Sequence, residues 1–139
     1  RADIPVMGHI GLTPQSYHRM GGNKVQGRTE GAQSGSRDRI VAEARAVEEA
    51  GVCAFVIEAV PAALATEITA NAAVPTIGIG AGVNCDGQVL VLHDLLGLSE
   101  RSFTFAKAYN NLRQLSLTAV SEYVSDVQNR RFPDSTNSF

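Results

Sequence analysis

The stretch CAFVIEAVPAALA, residues 53–65, decides how this chain is read. Cys53 to Ile57 form a continuous apolar run, too short for a helix and lacking the polar alternation of a half-exposed strand. It reads as a strand covered on both faces. Pro61 opens a helix a few residues later, because a proline at the first helical position gives up no hydrogen bond. Glu58 stands between them, at the C-terminal tip of the strand. A carboxylate there costs several kcal/mol if it is desolvated without a partner.

The same pattern repeats outward from this point. Upstream, residues 4–9 (IPVMGH) are an apolar run ending in a glycine and a histidine. Thr13 and Pro14 then start a short helix that Gly21 and Gly22 end. Residues 23–37 are polar and glycine-rich and read as loop, with 31–37 as a flexible excursion. Residues 38–50 place Ile40, Val41, Ala44 and Val47 on one helical face, with Asp38 as candidate cap and Gly51 as the stop. Downstream, VPTIGIGAG (74–82) reads as a third buried strand running into a glycine loop, and QVLVLHD (88–94) as a fourth. From Ser102 to Arg130 the pattern is helical, with Phe105, Leu112, Leu115, Val120, Tyr123, Val124 and Val127 as a core-packing stripe, and residues 131–139 are a tail. Strand alternating with helix argues for a parallel α/β sheet, within a single domain 1–139. Four strands cannot close a barrel of eight, which takes ~250 residues. A barrel parent would be represented here by about its second half. The opening RADIPVMG, which has no initiator Met and enters a strand at once, also suggests a piece of something longer.

Composition narrows the classes. The chain has 139 residues, 44% hydrophobic and 19% charged, with no Trp and a net charge of −2, which is the profile of a globular domain. Twelve basic residues against fourteen acidic ones leave no basic field for nucleic acid. No apolar run approaches the ~20 residues of a membrane helix, and no signal-peptide pattern opens the chain. Cys53 and Cys85 form neither a disulfide framework nor a zinc spacing, which points to a reducing compartment, most simply the cytoplasm.

The polar residues gather at the strands' C-terminal ends: His9, Glu58, the GIGAG loop, and His93 with Asp94. Chemistry sits at that edge in barrels and open α/β sheets alike. Glu58 reads either as a strand-end carboxylate paired with an Arg or Lys, or as a general acid or base in a half-apolar setting. His9 is either a structural histidine or a site residue. Neighbouring parallel strands lie ~5 Å apart, so the two side chains can meet. Asp94 reads more readily as a cap of the LLGL turn. GIGAG fails the dinucleotide fingerprint, because Val83 occupies its third glycine position, so its glycines serve close passage of a ligand or another chain. His9, His18 and His93 share no metal-ligand spacing, and no serine elbow occurs.

The motifs PVMGHIGLTPQS, GGNKVQGRT, FVIEAVPAALATEIT, VPTIGIGAG, CDGQVLVLHDLLGL and the tail FPDSTNSF occur in order over nearly the whole chain. Together they resemble the C-terminal half of the ketopantoate hydroxymethyltransferases. The resemblance implies a (β/α)8 TIM barrel of the phosphoenolpyruvate/pyruvate superfamily, with this chain covering about strands five to eight and a C-terminal helical region. It also implies transfer of a hydroxymethyl group from 5,10-methylenetetrahydrofolate to 3-methyl-2-oxobutanoate, giving 2-dehydropantoate, with Mg2+ polarising the keto acid. Glu58 falls on the family's catalytic base and His9 on a histidine close to the substrate. The Mg2+ ligands and the lysine that grips the substrate carboxylate fall in the missing half, so no metal ligand is assigned to this chain. Lys24 lies in the matching KVQGR segment but is not that lysine. A homo-oligomer is implied by resemblance as well. Residues 31–37 depart from the family pattern, and Asn137 stands where the family's terminal HSF has its histidine. Two other readings remain beside this one: a non-catalytic half-barrel that serves as an assembly or binding module, and a sibling carbon-carbon lyase of the same superfamily.

Overall fold

The computed structural model of the chain describes residues 3–30, 35–100 and 103–139. It divides into two compact units, one running up to Val89 and the other spanning Leu90–Phe139. The expected flexible loop 31–37 falls partly on residues 31–34, which lie outside the described residues, as does Ser102.

The first unit is a parallel sheet. Strands β1 (Met7–Gly11), β2 (Ala54–Glu58), β3 (Thr76–Ile79) and β4 (Gly87–Gln88) lie side by side in sequence order. Helix α1 (Arg37–Glu49) joins β1 to β2, and α2 (Ala62–Asn71) joins β2 to β3. His9 pairs with Val56, Gly11 with Glu58, and Glu58 in turn with Ile79. Neighbouring strands in sequence are therefore neighbours in space, without the reversal of order that marks a doubly wound sheet.

Period-two alternation divides each strand between two faces. Ile10, Phe55 and Ile57 are at most 2% exposed and join Ile40, Ala44, Leu64, Ala65 and Ile68 of the helices in one core. Burial of each such large side chain stabilises the fold by about 1.5–3 kcal/mol. Phe55 is bordered by residues of both α1 and α2, so the two helices cover the same face. A Cβ on Gly8 would lie 3.0 Å from the Phe55 Cβ and 3.2 Å from that of Val47, which is how closely α1 comes to β1.

The opposite face corrects the expectation of a sheet covered on both sides. It presents Met7, 53% exposed, with the partly buried His9, Val56, Glu58 and Ile77. An apolar run shows that both faces suit burial, but α1 and α2 lie on one side, and on the other Ala54 and Ile79 are the only buried side chains among the described strand residues.

Helix α1 is capped two residues before its expected cap, Asp38. Ser36, fully buried, is the N-cap, and its Oγ accepts from Arg39 N at 3.4 Å. Asp38 occupies the first helical turn instead, where its charge suits the helix dipole. Gly51 at φ +86° ends the helix as read. The short helix after Thr13 is a single 3-10 turn, Pro14–Ser16, with Thr13 as N-cap but without a side-chain bond.

The largest departure is at the fourth strand. β4 is only two residues long, its ladder closes with Val89 N–H donating to Gly78 O at 3.0 Å, and the chain then turns into a short helix, α3 (Leu92–Leu95). In the second unit, helix α4 spans Leu112–Gln128, capped by Asn111, whose side chain accepts from Gln114 N at 3.2 Å. The chain before Asn111 is not helical as far back as Phe103. No α4 residue is buried. Leu115, Val120 and Tyr123 are 59%, 60% and 55% exposed, so the expected core-packing stripe is not core in this chain.

Candidate active site

The C-terminal tip of β2 is held from three directions. The Glu58 carbonyl accepts from Leu12 N at 2.9 Å, Ala59 N–H donates to Ile79 O at 2.9 Å, and the Ala59 carbonyl accepts from Gln26 N at 2.8 Å. Ala59 itself sits at φ +50°, a left-handed conformation that costs a residue with a Cβ about 1–2 kcal/mol. Such strain persists where surrounding contacts over-determine it, and it concentrates at functional sites. Directly before it, Glu58 is aimed by a backbone that cannot relax.

His9 reaches this carboxylate from the neighbouring strand. It lies opposite Val56, one pleat back on the same face, and its Nε2 is 3.0 Å from Glu58 Oε2. The side chains are 31% and 19% exposed. The nitrogen is itself buried and makes no hydrogen bond, to Glu58 or to any other described residue. The pair is thus a close polar contact with bonding capacity left over, in a setting where an unmade bond is costly. Glu58 pairs with a histidine here, not with an Arg or Lys. The arrangement offers a half-desolvated carboxylate that can take a proton and an imidazole that can orient it or a bound molecule.

The remaining singled-out residues go elsewhere. The glycine loop serves the chain's own packing: at Gly82, φ +84°, a Cβ would stand 2.5 Å from that of Ala62 on α2, and at Gly78 one would stand 2.9 Å from Cys85 Sγ. His18 is exposed and meets the Tyr17 ring edge-on. His93 and Asp94 belong to α3 and not to a strand end. Asp94 is 7% exposed and accepts from Ser99 Oγ at 2.6 Å, which is a structural role. In the tail, Asn137 Nδ2 donates to Asp134 Oδ1 at 2.9 Å. Thr136 and Asn137 together hold the Asp134 carboxyl below its ordinary range, with the Thr136 hydroxyl as the largest cause.

Sequence reasoning missed the residues that aim the pair. Gly11, at φ +85°, carries a recognisable signal, a glycine closing an apolar run. Ala59 carries none, because nothing in its residue type announces a positive φ. Gln26 is hidden in a polar stretch that reads as loop.

A cavity of about 250 Å³ lies between α1 and α2, bordered by Val41, Arg45, Glu48, Phe55 and Glu67 among others. It opens on the helix side of the sheet. Its carboxylates are engaged, Glu48 with Ala73 N and Glu67 with Arg37, and neither His9 nor Glu58 lines it. No group of three or more His, Cys, Asp or Glu that could hold a metal ion occurs among the described residues. No helix among them is long and apolar enough to cross a membrane.

A family model described as ketopantoate hydroxymethyltransferase matches residues 1–135. Curated relatives named 3-methyl-2-oxobutanoate hydroxymethyltransferase match as well. Those of Geotalea daltonii, Geobacter metallireducens and Trichlorobacter lovleyi are 53%, 55% and 56% identical over 138 residues, which is 99% of this chain and 50% of each relative. The chain therefore spans about half the length of these relatives, and it belongs to the ketopantoate hydroxymethyltransferase family.

Proposed function

We propose that this chain supplies half of a ketopantoate hydroxymethyltransferase, about strands five to eight of a (β/α)8 barrel. With the remainder of the family's length it transfers a hydroxymethyl group from 5,10-methylenetetrahydrofolate to 3-methyl-2-oxobutanoate, giving 2-dehydropantoate for pantothenate synthesis. The observation that carries this reading is the 3.0 Å approach of His9 Nε2 to Glu58 Oε2 at the C-terminal edge of adjacent parallel strands. Family membership and the half-open apolar face around that pair support it.

In this reading Glu58 is the base. The C3–H bond of the keto acid breaks, its proton passes to a Glu58 oxygen, and its electron pair stays on the keto acid as an enolate that attacks the one-carbon unit. Water supplies the hydroxyl oxygen, and both C–N bonds to the folate break with their electron pairs returning to nitrogen, which takes up the protons. A base of this kind has to be partly desolvated and rigidly aimed, and the pinned tip of β2 provides for both. His9 lies against the carboxylate and offers its unsatisfied Nε2 to the substrate. The apolar face formed by Met7, Val56 and Ile77 becomes the inward face, closed by the other half. Mg2+ and its ligands belong to that other half, and no step here is routed through them. Homo-oligomeric assembly and a cytoplasmic setting belong to the same reading.

A turnover assay with the keto acid, methylenetetrahydrofolate and Mg2+, run on this chain and on a full-length protein containing it, tests the proposal. Production of 2-dehydropantoate by the full-length protein is the expected result. Its absence there would leave the chain as a non-catalytic module or a lyase half.

A further inference from the structure

The segment between β1 and α1 leaves the strand edge and returns to the same place. Leu12 N–H donates to Glu58 O at 2.9 Å, and Gln26 N–H donates to Ala59 O at 2.8 Å. Residues 13–25 are therefore a loop with both feet on the tip that carries the candidate base. The second foot is firm: Gln26 is 6% exposed, and its side-chain amide donates back to Lys24 O at 2.8 Å.

The charge of this loop is one-sided. It contains Arg19, Lys24 and His18 and no Asp or Glu, and Arg28 follows just past the second foot, all in a chain of net charge −2. These side chains are exposed. Elsewhere Arg37, Arg39, Arg113 and Arg131 each pair with a carboxylate, while Arg45, Lys107 and Arg130 form no ion pair with a described residue and lie far along the sequence from this loop. Arg19, Lys24 and Arg28 have no ion pair with any described residue. Arg19 donates only to Ser16 Oγ, at 3.2 Å. Unpaired cations on a loop fixed beside a reaction centre favour an anionic ligand group. The loop also presents an aromatic ring, Tyr17, 41% exposed.

The two proposed substrates differ in what they could use here. The keto acid carries a single carboxylate and no ring. The folate donor ends in a benzoyl ring amide-linked to glutamate, with two carboxylates and one more for each further glutamate. We infer that the 13–25 loop, with Arg28 beside it, binds the p-aminobenzoyl-glutamate tail of the one-carbon donor. Arg19 and Lys24 take its carboxylates and Tyr17 contacts its ring. This assignment rests on the folate-dependent reading above and gives that reading a place on this chain for the donor.

The test compares a full-length protein containing this segment with its Arg19→Ala, Lys24→Ala double variant. The KM for pentaglutamyl methylenetetrahydrofolate should rise about tenfold, the size expected for losing two exposed charge contacts. The KM for the keto acid should stay within about twofold, and the rise should shrink at high salt. An unchanged donor KM, or an equal rise for both substrates, would overturn the inference. Should the alanine variant fold poorly, the Arg19→Gln, Lys24→Gln pair serves the same purpose. If the full-length protein transfers no hydroxymethyl group, the proposed function falls, and calorimetry with p-aminobenzoyl-pentaglutamate alone then decides the loop. Binding by the parent that weakens about tenfold in the variant supports the assignment; no binding by the parent, or equal binding by both, sinks it.

Discussion

Gly11 and Glu58 face each other across β1 and β2, and a Cβ on Gly11 would stand 2.2 Å from the Glu58 carbonyl oxygen. The same added carbon would lie 2.9 Å from Val60 Cγ2, and Gly11 already has φ +85°. The close approach lets the next residue, Leu12, donate to that carbonyl. A glycine in β1 thereby sets where the carboxylate of β2 points.

Replacement Gly11→Ala should therefore cost at least about 2 kcal/mol, combining left-handed strain with a backbone clash that no flexible side chain can absorb. Denaturant unfolding of parent and variant checks the value. A loss below ~0.5 kcal/mol would mean that the tip is free to move.

Removing His9 should leave the fold in place and damage the chemistry. Its side chain is 31% exposed and outside the main core, so His9→Ala should shift the unfolding midpoint little. With the imidazole gone from beside the carboxylate, C3 proton exchange of the keto acid by the full-length protein should fall about 100-fold, the scale expected for a misplaced reacting group. Equal losses of stability and exchange would point to a merely structural histidine.

Asp86 provides a pH-dependent prediction. Its carboxylate accepts from Thr76 N at 2.8 Å and from Thr76 Oγ1 at 3.0 Å, tying the loop after β3 back to the start of that strand. These bonds, the backbone one foremost, hold its pKa below the ordinary value of 3.8. A lowered folded-state pKa stabilises the fold above the unfolded value, and the benefit is lost as pH falls through the folded one. Asp86→Asn should thus be less stable than the parent at pH 7, with the gap closing as pH drops below 3.8. Thermal melts at pH 7 and pH 3 test this; a gap independent of pH would contradict it.

The two units should respond differently to polar or truncating changes. Ile57, with no exposed surface, should cost about 2–5 kcal/mol on replacement by alanine. Val124 is 44% exposed on α4, and its replacement by aspartate should change the stability of the chain alone by no more than about 0.5 kcal/mol. A large loss at Val124 would show that the α4 stripe is covered after all.

The elements legible in the sequence were those whose burial is decided locally. Phe55 and Ile57 in β2, and Ile40 and Ala44 in α1, announce themselves by spacing, and Pro61 and Gly51 mark helix ends where they are found. The pairing of His9 with Glu58 followed from two strand ends sharing an edge, and the structure brings these side chains together. QVLVLHD misled because a short apolar run suits a strand or a helix equally. The ladder to β3 ends with Val89, and Val91 becomes the cap of α3. The start of α4 misled because apolar spacing from Phe105 onward outweighed the cap that Asn111 offers. The strain at Ala59 was invisible, since it arises from three separate hydrogen bonds made in the folded chain.

The identity of the base is tested most directly by deuterium exchange at C3 of 3-methyl-2-oxobutanoate, followed by proton NMR in heavy water, with a full-length protein and its Glu58→Gln variant. The amide keeps the shape of the side chain and removes the proton acceptor. Exchange should fall about a thousandfold while the variant remains folded, in keeping with loss of a positioned general base. Exchange within about threefold of the parent, a factor far below that range, would contradict Glu58 as the base.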